Sequence, residues 1–146
     1  MPRNSVAYDD DFFAWTQEQA RLLRAGDFSQ LDVENVAEEL ESMGRSDKRE
    51  LRNRLTQLLM HLLKWQYQPG FRSRSWTSTI GEQRDQVKES LQESPSLRPT
   101  VTTELSKVYR IARIKAAGET GLSEKTFPPQ CPYTLEQILS EDFLPE

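Results

Sequence analysis

Leucines at positions 51, 55, 58, 59, 62 and 63 constrain this chain more than any other feature. At 3.6 residues per turn they fall on one broad apolar arc, wider than the narrow seam of a coiled coil. A helix with so wide an arc has to be covered on several sides, so it must sit at the centre of whatever forms around it. Ser46 and Glu50 mark its start, and Pro69-Gly70 its end. The chain has 146 residues, enough for one domain of ordinary size.

The other segments read as helices too. The run from Asp9–Asp11 into FFAWTQEQARLLRAG predicts a helix with acidic residues at its positive end and a stop at Gly26. Phe12, Thr16, Gln19 and Leu23 share one face, with Trp15 and Leu22 on its flank. A second helix is predicted from Asp32 to Gly44, with Val33, Val36, Ala37, Leu40 and Met43 as a core stripe and Glu34, Glu38 and Glu41 beside it. The leucine helix is the third. A fourth starts at Ser75 or Ser78 and stops before Pro95, turning Trp76, Ile80, Val87 and Leu91 inward. A fifth starts near Pro99 and fades at Gly118, burying Val101, Leu105, Val108, Tyr109 and Ala112. Residues 119–133 form an irregular, proline-rich loop. A short C-terminal helix over 134–142 opens with the capping-box pair Thr134 and Gln137, and is expected to cover Ile111 and Ile114. Residues 1–8 are expected to be flexible. No segment alternates with period two, so the expected fold is all-α: a single compact bundle of five main helices plus the short C-terminal one.

Charge is unevenly distributed. Residues 1–44 hold three basic and ten acidic side chains, a net of −7; residues 45–118 hold fifteen and seven, a net of +8; residues 119–146 hold one and six, a net of −5. The simpler account is that acidic ends neutralise a basic middle. The alternative is a basic surface left open to an anionic partner, with nucleic acid less favoured because the whole chain is acidic. One cysteine and one histidine exclude an intrachain disulfide and the usual zinc cage, and no metal or cofactor is expected. A di-iron bundle needs two Glu-x-x-His motifs, and Cys131 has no histidine near it in sequence. With no leader-like or membrane-spanning stretch, a bacterial cytoplasmic protein is expected, without membrane contact.

Three constellations could carry chemistry. Arg54 and His61, seven residues apart, lie on one line of the leucine helix. They could form an acid–base and anion-stabilising pair. That spacing falls within the loose pattern of the HEPN ribonucleases, metal-independent enzymes that assemble such pairs across a homodimer. The plainer account is a boundary histidine, with Arg54 bonded to an acidic neighbour. Gln83 and Arg84 interrupt the inward stripe of the fourth helix, and a buried Arg84 requires a partner; Glu38 heads the candidates, with Glu39 and Glu41 beside it. In KWQYQPGFRSRSWTS, residues 64–78, the rings of Trp65, Tyr67, Phe71 and Trp76 interleave with Lys64, Arg72 and Arg74 just before a helix start. Rings among cations suit stacking on, and pairing with, an anionic ligand. The expected binding residues are therefore Lys64, Trp65, Arg72, Arg74 and Trp76, in a non-enzymatic module that engages an anionic ligand or a protein partner.

Several longer words occur in a fixed order: DDFFAWTQEQARLLRAG, LDVENVAEELESMGRSDKREL, RLTQLLMHLLKWQYQP, RSRSW, TIGEQR, ETGL and FPPQCPYTLEQIL. From about Tyr8 to Pro145 the chain resembles the bacterial domain-of-unknown-function 29 family. The resemblance implies a small all-helical domain. It carries over no catalytic or binding residue, because no activity is established for the family.

Overall fold

The computed structural model describes residues 7–146. Five α-helices follow in order: α1 (Phe12–Ala25), α2 (Val33–Tyr67), α3 (Arg74–Glu93), α4 (Arg98–Thr120) and α5 (Leu135–Leu139). Single 3-10 turns lie at Pro69–Phe71, Pro95–Leu97 and Glu124–Thr126, and no strand occurs among the described residues. The fold is all-α. Its contacts cluster into two units, Met1–Ser46 and Asp47–Glu146.

The predicted second and third helices are one helix of 35 residues. Gly44 does not end it. An interior glycine costs a helix only about 1 kcal/mol relative to alanine. Unbroken helix on both sides outweighs that loss, and Ser46 consequently caps nothing. The anticipated core stripe of the N-terminal half is not buried either: Val33, Leu40 and Met43 are exposed. The described residues thus form four long helices and a short one.

In the first unit, α1 and the start of α2 run antiparallel. Trp15 Nε1 donates to Asp32 at 3.0 Å, and the Asp32 amide donates to Gln19 Oε1 at 2.7 Å. Farther along, the Tyr8 hydroxyl donates to Glu39. Trp15, Gln19 and Leu22 are the buried line of α1, whereas Phe12 and Leu23, grouped with Gln19 on one face, are exposed. Asp11 caps α1, and Gly26 closes it in the left-handed region at φ 71°, where glycine is favoured. Of the segment expected to be flexible, residues 1–6 lie outside the described residues. Tyr8 packs edge-on against Phe12 and Trp15.

The second unit is built round the leucine arc. Leu58, Leu59, Leu62 and Leu63 are wholly inaccessible, each contributing roughly 1.5–3 kcal/mol by burial. Ile80, Val87 and Leu91 of α3 pack into the same core, as do Val101, Val108, Tyr109, Ala112 and Ala116 of α4 and Ile138 of α5. Ser73 caps α3, two residues before Ser75, the earlier of the two expected starts, and Gly121, at φ 75°, closes α4 beyond Gly118. The loop after α4 is irregular but pinned. Tyr109 donates to the Pro128 carbonyl at 2.6 Å and Tyr133 to Gln66 Oε1 at 2.7 Å. Burial pushes the Tyr109 phenol up to about 12 and Tyr133 higher still. Thr134 and Gln137 form the expected capping box. The C-terminal helix nevertheless leaves Ile111 and Ile114 exposed.

Candidate functional site

The segment after α2 is shaped by one missing hydrogen. In a helix the Trp65 carbonyl would accept from the amide four residues on, but that residue is Pro69, which has no N–H. Arg72 fills the vacancy, its Nε donating to the Trp65 carbonyl at 2.8 Å. The same bond lays the guanidinium over the Trp65 ring, 4.8 Å from its centroid. Arg72 is therefore pre-oriented, with its Nη groups left for other acceptors.

The expected binding residues separate into two groups. Lys64 is buried, bonded to Glu119 at 3.1 Å and placed 4.9 Å from the Trp76 ring centroid. Its charge is committed within the unit. Trp65 and Trp76 are half-buried, serving as the surfaces on which these cations rest. Arg72 and Arg74 are exposed, and among the described residues neither has a carboxylate within ion-pair distance. Phe71 stands 68% exposed beside them. Phe71, Arg72 and Arg74 thus form an outward corner, and Ser73 caps the helix that starts there, donating no charge of its own.

Arg54 and His61 are not brought together. Seven helical residues span about 10 Å along the axis, and Arg54 turns the other way, to Glu50 at 2.8 Å. His61 Nδ1 donates to the Gln57 carbonyl at 2.9 Å, which fixes the neutral tautomer with Nε2 as acceptor. Burial is the main cause holding this imidazole below its ordinary pKa of 6.5, opposed by the Gln57 bond; Lys64 lowers it further and Glu119 raises it. The unfolded chain therefore binds a proton more readily than the folded one. Stability contributed by His61 is complete above about pH 6.5 and is lost as the pH falls through the folded value. Between pH 7 and 5, urea denaturation should show a smaller loss of stability in His61→Gln than in the wild type; equal losses would contradict the assignment.

Arg84 is buried, as its place on the stripe implied, but its partner is not Glu38. Its Nε donates to the Ile138 carbonyl at 2.7 Å, Nη1 to Glu141 at 3.3 Å and Nη2 to Phe143 at 3.0 Å, all backbone oxygens. Glu38 pairs instead with Arg45 at 2.8 Å. A short helix leaves its last carbonyls unsatisfied, and a planar fork with five donors can gather several of them at once. Sequence reasoning looked for a carboxylate and so missed this role; backbone carbonyls carry no residue signature. Cys131 donates to the Tyr133 carbonyl at 3.4 Å, and burial raises its thiol pKa, which disfavours the nucleophilic thiolate.

These features define an all-α protein with an aromatic–cationic corner, in which Arg54 and His61 are bonded to separate neighbours. The chain belongs to the family described as Domain of unknown function DUF29, whose model matches residues 7–144. It is also similar to the crystal structure of an alpha-helical protein of unknown function from Rhodospirillum rubrum ATCC 11170. The two share 26% identity with a TM-score of 0.66, over 96% of this chain and 93% of that one. No curated protein matches the chain. No helix among the described residues is long and apolar enough to cross a membrane.

Proposed function

We propose that this protein is a non-enzymatic interaction module that engages an anionic partner through Phe71, Arg72 and Arg74. One observation carries the reading: two exposed guanidinium groups stand beside an exposed ring without a carboxylate partner, one of them already oriented by Trp65. An exposed cation loses little on meeting a carboxylate or phosphate, and a pre-oriented fork loses less rotamer freedom than a free one. Lys64, engaged by Glu119, supports the corner from below and is not a contact residue. Arg54 and His61, each held by a neighbour one turn away, give no comparable support to ribonuclease chemistry.

The chain carries a net charge of −4 at pH 7, so its overall charge opposes adsorption to a negatively charged resin. Retention on such a resin has to come from a local patch. The wild type is expected to be retained at low salt, and Arg72→Ala combined with Arg74→Ala should elute at distinctly lower salt with an unchanged circular dichroism spectrum. Equal elution of the two proteins would remove the corner as the binding surface.

A further inference from the structure

The second unit holds a recess that the corner at residues 71–74 does not use. Arg84, Lys88 and Leu91 fall at i, i+4 and i+7 on α3, along a line that faces α5 and the residues after it. Arg84 binds the carbonyls of Ile138 and Glu141, which fixes Leu139 between them. One turn beyond Leu91 the chain bends through Pro95–Leu97 into α4, which begins at Arg98. These elements border an open recess of about 400 Å³, lined by Lys88, Leu91, Gln92, Arg98 and Leu139. Its size lies within the range of small-molecule sites.

The lining has two chemistries. Leu91, only 7% exposed, and the half-buried Leu139 give it an apolar wall. Arg98 is exposed, and among the described residues it has no carboxylate within ion-pair distance. Lys88 meets only Glu141, at a long 3.9 Å, and that carboxylate is itself 74% exposed. The N-terminus of α4 has no side-chain cap, so its positive end adds to the same field. Lys88 and Arg98 against Glu141 leave a net of one positive charge, which suits a monoanion rather than a doubly charged phosphate. An apolar chain on that anion gains by covering the two leucines, as a bare ion cannot. We propose that the recess binds an aliphatic monocarboxylate, with its headgroup between Arg98 and Lys88 and its chain along Leu91 and Leu139. The guanidinium fork of Arg98 matches a carboxylate in geometry, and the ligand displaces Glu141 from Lys88.

The test titrates the full chain with octanoate below its micellar concentration and follows amide chemical shifts. The largest changes are expected at residues 88–98 and around Leu139, and Arg98→Gln should weaken binding tenfold or more. Gln92 is exposed, so Gln92→Trp should fill the recess and block binding while urea denaturation stays as in the wild type. Acetate, which lacks the chain, and octylammonium, which reverses the charge, should each bind at least tenfold more weakly than octanoate. Octylammonium binding as tightly would reduce the recess to an apolar patch, and inorganic phosphate binding as tightly would reduce it to an anion site; either result overturns the proposal. So would shifts confined to the exposed apolar residues of α1 and of Val33 to Met43. The Arg72→Ala, Arg74→Ala variant should bind octanoate as the wild type does, which separates this result from the resin experiment; a loss there would move the site to the corner and overturn the assignment.

Discussion

Arg84→Met is expected to destabilise the protein by roughly 3 kcal/mol or more and to free the segment after α5, although methionine fills much of the same volume. Arg84 is only 2% exposed and is held by three backbone carbonyls, with no carboxylate in the shell that bonds it. Removing a buried ion pair as a whole is often harmless, since both costly charges disappear together. Here only one side can be removed. The buried Ile138 carbonyl is left without a donor, which costs about 1–3 kcal/mol, and the part-buried bonds to Glu141 and Phe143 are lost with it. Lysine should recover only part of the loss, because a single ammonium cannot reproduce the spread of a guanidinium fork. Urea denaturation gives the stability, and limited proteolysis within 134–146 reports release of the tail. A methionine variant with wild-type stability and an intact tail would show that the three bonds are dispensable.

Leu59→Ala and Leu40→Ala should give opposite results on the same helix. Leu59 is wholly inaccessible at the centre of the leucine arc, and truncating a buried leucine costs about 2–5 kcal/mol, the spread reflecting how far the surroundings close the void. Leu40 is 64% exposed, and its truncation should change stability by less than about 0.5 kcal/mol. Chemical denaturation of both variants under identical conditions makes the comparison. If Leu40→Ala were the more damaging, the roles assigned to the two halves of α2 would be reversed.

The same contrast shows what could be read from the sequence. The leucine arc was legible because its width leaves no arrangement except burial. The stripe at Val33, Val36, Leu40 and Met43 was equally periodic, yet periodicity reveals only that a face is apolar, not what covers it. Gly44 looked like a stop because stop signals are local, while a helix can run through one when the residues on both sides continue it. At the corner, the rings and cations were visible, but the pairing of Lys64 with Glu119 joins positions 55 residues apart and has no local trace. One signal was present and not used. Pro69 lies four residues after Trp65, so an unsatisfied carbonyl at Trp65 could have been inferred, together with the need for a nearby donor such as Arg72.

The central claim is that α2 is one continuous helix whose two halves do different work, the second anchoring a core and the first presenting a surface. Residue-resolved amide hydrogen exchange on the intact chain tests it most directly. The account predicts slowest exchange from Leu51 to Tyr67, faster exchange from Val33 to Glu50, and helical rather than coil-like protection through Gly44 and Ser46. Coil-like rates at Gly44, or protection as strong before Ser46 as after Leu51, would contradict it.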